Sequence, residues 1–186
     1  MATWGTTGRR LRFFGQFAHY LIRYATWLPP LICFNTYVAE VTFIQGPSMY
    51  PFLNAEYHES RRQDLCLVWK MYARENLARG MLVIFRNPDD PHKMTVKRVV
   101  ALEGDKVRTR RPYPHDYINI PEGHVWVEGD GDKTKDSNYY GPISAQLITG
   151  RITHIVSPWK RAGRVRWWEH PERPGVQKAQ VGWFST

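Results

Sequence analysis

The sequence predicts a mainly β protein, an antiparallel barrel or sheet domain carried behind an N-terminal transmembrane helix. Two observations lead there. A single long apolar stretch lies near the start, and past it short β-branched and aromatic runs recur between Gly, Pro, Asp and Asn. Such spacing of short strands points to an antiparallel sheet or barrel.

Residues 1–16 form a basic segment through Arg9, Arg10 and Arg12. From Phe13 to Ile22 the chain carries no formal charge, Arg23 interrupts, and Tyr24 to Ala39 is again uncharged up to Glu40. A bilayer core takes about 20 mostly apolar residues. Residues 17–40 therefore read as a membrane anchor, with Arg23 snorkelling to one interface and Pro29-Pro30 kinking the helix. The leading arginines hold that end on the negative side of the membrane and send the remainder across. An interfacial helix or a removed targeting peptide is the alternative. Removal is disfavoured because the run leads into Gly46-Pro47-Ser48 with neither a small-residue cleavage site nor a polar linker.

Residues 41–157 read as the β domain. Asp64–Trp69, Met81–Phe85, Thr95–Leu102 and His124–Val127 are the expected strands, separated by turn chemistry at Asn87-Pro88-Asp89-Asp90-Pro91 and Glu103-Gly104-Asp105. A short helical turn is expected between Met71 and Arg79, and an exposed excursion over Arg108–Pro121. Residues 158–186 form a basic, Trp-rich tail. It is expected to make a last strand through Arg164–Trp168 and then a disordered end, with contact to anionic lipid or a partner subunit as the alternative.

The 186 residues carry a formal charge of +9 and a pI near 9.7, which draws the chain to something acidic: lipid, protein or nucleic acid. Nucleic acid leaves the anchor unexplained. Cys33 and Cys66 show no CxxC spacing and no histidine pair completes a site, so neither a disulfide framework nor structural zinc is expected. Gly129-Asp130-Gly131-Asp132 lacks the spaced oxygen ligands of a calcium loop. No metal and no cofactor are implied.

Two residues carry the chemistry. Ser48 lies between Pro47 and Pro51 just past the apolar stretch, where the prolines stiffen the turn and Gly46 permits close backbone approach. The Ser48 amide would then be free to stabilise an oxyanion, with Met49 and Tyr50 as an apolar lip at the bilayer surface. Lys97 sits inside Met94–Val100, sharing one strand face with Thr95, Val99 and Ala101 while Arg98 points the other way. A lysine accepts a serine proton only when neutral, which requires burial among apolar groups. The bland reading of Lys97 is a solvated member of an edge strand, and of Ser48 a turn former.

Gly46-Pro47-Ser48-Met49-Tyr50-Pro51, then Val96-Lys97-Arg98-Val99-Val100-Ala101-Leu102-Glu103-Gly104-Asp105, then Gly129-Asp130 with Asp136-Ser137-Asn138-Tyr139-Tyr140-Gly141-Pro142, resemble the type I signal peptidase family in order and spacing. The short interval between the last two boxes is similar to the mitochondrial inner membrane protease branch, subunit 2 type. The resemblance implies a membrane-anchored serine endopeptidase over residues 41–157, with Ser48 as nucleophile, Lys97 as general base and the Ser48 amide in the oxyanion hole. It further implies a site in the intermembrane space, single-pass anchoring, precursor proteins with cleavable signals as substrates, and a heterodimer with a related peptidase subunit.

By position, Thr134 would orient the lysine and Asp136 would support the site from below. Three positions depart from the family pattern. Gly46 stands where bacterial members place a side-chain oxyanion donor, Gly131 replaces an asparagine, and Asn138 replaces the arginine that pairs with the box carboxylate. The loop from Asp132 to Lys135 is also one residue short. A noncatalytic stabilising subunit and a bacterial-type signal peptidase are the competing readings.

Overall fold

The computed structural model describes residues 19–57, 62–131 and 134–179. The chain divides into two compact units, residues 1–39 and 40–186.

In the first unit, residues 19–25 are helical (α1), a turn at Thr26-Trp27 follows, and α2 spans Leu28–Cys33 before a π-helical turn over Phe34–Val38. Pro29 and Pro30 occupy the first positions of α2. Lacking amide donors, they start a helix rather than continue one. The continuous spanning helix expected over residues 17–40 is thus replaced by two short helices. Among the described residues no helix is long and apolar enough to cross a membrane. Phe17 and Ala18, and all of the basic segment 1–16, lie outside the described residues.

In the second unit, strands β1 (Ala39–Phe43), β2 (Leu65–Trp69), β3 (Leu82–Arg86), β4 (Met94–Ala101), β5 (Lys106–Arg108), β6 (Tyr117–Asn119), β7 (His124–Glu128), β8 (Ile143–Ser144), β9 (Ile148–Ser157), β10 (Gly163–Arg164) and β11 (Val176–Gln177) follow in order. Among the described residues eight strands form one sheet in the order β1-β2-β9-β3-β4-β7-β8, with β10 also on β9. Pairings from β2 to β8 are antiparallel. A second sheet runs β11-β5-β6. The expected mainly antiparallel β domain is therefore present.

The core divides among three clusters. One gathers Met49, Leu53, Cys66, Val68, Leu82 and Ile152; another Val83, Phe85, Val99, Val127 and Ile148; a third Ala101, Val107, Ile120 and Trp126 against the second sheet. Cys66 is a free core thiol whose pKa burial pushes up to about 12, with the Asp64 charge adding to the effect. β9 alternates buried Ile148, Gly150 and Ile152 with more accessible neighbours, and it joins β2 to β3 at the centre of the sheet.

Three local expectations are corrected. Met71–Arg79 forms turns rather than a helix, because Tyr72 and Asn76 hold positive φ values of 52° and 48° that end any right-handed run. The Arg108–Pro121 excursion folds back as β6 on β5, pairing Ile118 with Val107. The strand expected through Arg164–Trp168 is Gly163–Arg164 (β10), a 3-10 turn at Trp167–Glu169 leads to a further strand, β11, whose Val176 pairs with Val107, and the part of the expected disordered end over residues 180–186 lies outside the described residues.

Asp105, fully buried, ties these pieces together. Its carboxylate accepts from Arg79 Nε and Nη2 at 2.9 and 2.6 Å, and from the amides of Leu102 and Ala179 at 2.9 Å each. Burial alone would raise its pKa, but the Arg79 bonds, the two amides and the Arg79 charge outweigh burial and hold it below 3.8. A carboxylate depressed in the folded state adds stability above its unfolded pKa and loses it as pH falls through the folded one. We expect Asp105→Asn to cost about 3 kcal/mol at neutral pH, since it leaves Arg79 unpaired, and to flatten the loss of stability below pH 3.8. Denaturant unfolding across that range measures both effects.

Candidate active site

Gly46 turns the chain out of β1 with φ +85°, a conformation that glycine adopts without strain. The Tyr50 amide then bonds Pro47 O at 3.0 Å and Leu53 N bonds Met49 O at 2.7 Å, which wraps two tight turns around Ser48. Met49 and Leu53 are fully buried and pin the loop into the core. Met49 is therefore no part of an apolar lip; Tyr50 is half-buried. Asn54, itself buried at φ +56°, donates through Nδ2 to Ile44 O and Gly46 O at 2.9 Å each and exchanges further bonds with Asp64 at 2.9 and 2.7 Å. Arg161 closes the brace by pairing with Asp64 at 2.7 Å and donating to Phe52 O. The Ser48 amide has no hydrogen-bond acceptor among the described residues.

Lys97 lies on β4, which is flanked by β3 and β7, so the edge-strand reading fails. It pairs with Val83, and Val99 follows on the same face. The residue is 2% exposed. Among the described residues no carboxylate lies within ion-pair distance of its amine. Burial lowers its pKa from 10.5 to about 8, opposed by the charges of Asp136 and Asp130.

The two carboxylates that face the lysine are engaged elsewhere. Asp130 forms a two-bonded pair with Arg98, at 3.0 Å to Nε and 2.6 Å to Nη2. Arg98 also donates to Gly80 O at 2.8 Å, and its guanidinium lies 4.6 Å from the centre of the Phe52 ring. Arg98 does point away from Lys97, but into this buried cluster rather than into solvent. Asp136 caps the short helix α3 (Ser137–Tyr140) and spends both oxygens on neutral donors. Oδ1 accepts from Asn138 N at 3.0 Å and Asn138 Nδ2 at 3.1 Å; Oδ2 accepts from Thr134 Oγ1 at 3.0 Å and Gly129 N at 3.2 Å.

Close backbone approach joins this box to the serine loop. Gly131 N donates to Ser48 O at 3.2 Å. A Cβ on Gly129 would stand 2.6 Å from both Ser48 O and Thr134 Oγ1, and one on Gly131 2.7 Å from Pro47 O. Only glycine fits at either position. Ser48, Thr134 and Asp136 are thus brought into one cluster, with Lys97 in the electrostatic range of Asp136. The sequence reading missed Asn54, Asp64 and Arg161 as the brace, and Asp130 as the partner of Arg98. A buried Asn at positive φ has no periodic signature, and long-range pairs leave no spacing to read.

The burial of Lys97 fixes a sign for stability. Below its folded pKa of about 8 the amine is charged in both states and the whole burial penalty opposes folding. Between about 8 and 10.5 the folded chain sheds the proton first, so stability rises with pH. Lys97→Met is expected to raise the unfolding free energy at pH 7 by on the order of 3 kcal/mol, and that gain should shrink by pH 10.5. Paired denaturation curves at the two pH values test this.

The family model "Signal peptidase, peptidase S26" matches residues 18–113, which include Ser48 and Lys97. The mitochondrial inner membrane protease subunit 2 of Schizosaccharomyces pombe is 39% identical over 158 residues, 84% of this chain and 86% of that protein. The Saccharomyces cerevisiae protein of the same name is 39% identical over 141 residues, covering 74% and 79%. The mitochondrial inner membrane protease subunit 1 of Mus musculus is 36% identical over 138 residues, covering 72% and 79%. By this match and these identities, the chain belongs to the signal peptidase S26 family, in its mitochondrial inner membrane protease subunit 2 branch.

Proposed function

We propose that this chain is a serine endopeptidase of the mitochondrial inner membrane that removes sorting signals from precursors delivered to the intermembrane space, using Ser48 and Lys97 as a dyad. The observation that carries the proposal is the Lys97 amine, buried and without a carboxylate partner among the described residues. Such an amine gives up its proton near neutral pH, as a general base must. Neutral Lys97 takes the Ser48 hydroxyl proton, and the alkoxide attacks the scissile carbonyl. The free Ser48 amide stabilises the oxyanion. Lys97 returns the proton to the leaving amine, then activates the water that releases the acyl-enzyme. Thr134, held by Asp136 at 3.0 Å, orients the amine.

Residues 17–40 anchor the chain in a single pass in this reading, with the catalytic domain in the intermembrane space. Supporting it, the described part exposes Leu21, Ile22, Leu28, Leu31, Ile32 and Phe34, α2 buries none of its residues, and the basic residues Arg9, Arg10 and Arg12 precede the run. Relatives named subunit 1 and subunit 2 both match, which supports a heterodimer with a related peptidase subunit.

Precursor peptides incubated with the full chain, alone and with a subunit 1 protein, test the dyad. Ser48→Ala and Lys97→Ala should each abolish cleavage while the protein stays folded and still binds its partner. The acid limb of kcat/KM should rise through about pH 8, following the folded lysine. Undiminished cleavage by either variant would refute the dyad, and if it appears only with the subunit 1 protein present it would leave a noncatalytic, stabilising subunit as the better account.

A further inference from the structure

The segment after β10 crosses the domain and is fastened at two places. Trp167 O lies 2.5 Å from where a Gly80 Cβ would stand; further on, Arg108 N donates to Gly175 O at 2.8 Å and β11 joins β5. Between these fastenings Arg173 turns inward. Its side chain is only 10% exposed, and Nη1 lies 2.8 Å from Glu128 Oε1, whose side chain is 8% exposed. Arg173 Nε and Nη1 make no aligned hydrogen bond, so this contact is the attraction of two buried charges. It also lines a cavity of about 920 Å³ together with Arg98, Arg110, Glu128, Gly129 and Asp130.

Glu128 Oε1 also accepts from Trp126 Nε1 at 2.8 Å and Asn138 Nδ2 at 2.9 Å. The same Asn138 Nδ2 reaches Asp136 Oδ1 at 3.1 Å. Two buried carboxylates are therefore bridged by one neutral amide, and Asp136 continues the chain to Thr134 and Gly129. Among the described residues Arg173 is the cation paired with either carboxylate. Without Arg173 the Glu128 carboxylate would be a buried charge with no counter-ion among the described residues, and the groups hydrogen-bonded to it would have to shift.

We infer that Arg173 is a positioning residue of the active site, a tail-borne cation that pairs with the buried Glu128 carboxylate and so holds the Asn138–Asp136–Thr134 chain in place beside Ser48 and Lys97. The inference rests on the dyad reading. Arg173 touches no reacting atom; it fixes what Asn138 and Asp136 can accept, and through them the orientation of Thr134.

The test uses the full chain with its partner subunit and one precursor peptide spanning a cleavage site. Arg173→Met should lower kcat about tenfold or more with KM changed less than about twofold. Arg173→Lys, which keeps the charge, should retain at least about a third of kcat. The double variant Arg173→Met/Glu128→Gln leaves no unpaired charge, and its amide oxygen still accepts from Trp126 and Asn138; kcat should return to within about threefold of wild type. A folded Arg173→Met protein with wild-type kcat overturns the inference. So does a folded double variant as slow as the single one, which would mean that Arg173 only tethers the tail. If Arg173→Met does not fold, the double variant decides alone: kcat within about threefold of wild type supports the inference, and kcat about tenfold or more below wild type overturns it. Ser48→Ala in the same assay separates the two claims. Cleavage by that variant sinks the dyad, whereas a dead Ser48→Ala beside an unimpaired Arg173→Met sinks only the positioning role.

Discussion

Lys97 and Arg98 are neighbours on β4 and both are buried, yet among the described residues only the arginine is given a carboxylate. The difference follows from what each group can do. A guanidinium stays charged at any accessible pH, so Arg98 needs Asp130, Gly80 O and the Phe52 ring to be tolerated inside. An ammonium can discard its proton. Burial takes on the order of 3 kcal/mol from the charged form of Lys97, whereas an ion pair at 4 Å would return about 4 kcal/mol in a partly screened site. One free carboxylate would therefore restore the charge. Among the described residues the two carboxylates that act on the lysine are taken: Arg98 occupies Asp130, and four neutral donors saturate Asp136.

The two residues proposed as the dyad were more legible than the residues that hold them. Ser48 stood out because Pro47, Pro51 and Gly46 restrict it locally, and Lys97 because a charge breaks an apolar alternation. The strands around Cys66, Ile84, Val99 and Val125 were readable as short β-branched or aromatic runs bounded by Gly, Pro, Asp and Asn, although burial alternates only in β2 among them. β9 was not read, although Ile148, Gly150 and Ile152 alternate inward. Gly150 removes a side chain from the pattern to admit Val68, whose Cγ1 would be 2.4 Å from an added Cβ. The tail looked disordered because its prolines, arginines and tryptophans have no period. Its order comes from single long-range contacts such as Ala179 N to Asp105 and Arg173 to Glu128. Met49 was assigned outward from its place beside Ser48, but the turn geometry drives it into the core.

Three departures from the bacterial family pattern, two that remove a side chain and one that removes a charge, each find a structural counterpart. Gly46 offers no side-chain donor, but its carbonyl is held by Asn54 Nδ2, which braces the start of the turn that carries Ser48. Gly131 has no asparagine side chain, and its bare α-carbon lets its amide reach Ser48 O where a Cβ would strike Pro47 O. Asn138 provides no cation, and the positive charge is found one carboxylate further out, on a segment distant in sequence. The consequence is electrostatic. An arginine directly on Asp136 would bring a second positive charge close to Lys97; moving it to Glu128 keeps the supporting network compensated while the lysine's nearest charges remain Asp136 and Asp130. The lysine is then depressed only to about 8, a value at which a substantial neutral fraction exists near physiological pH.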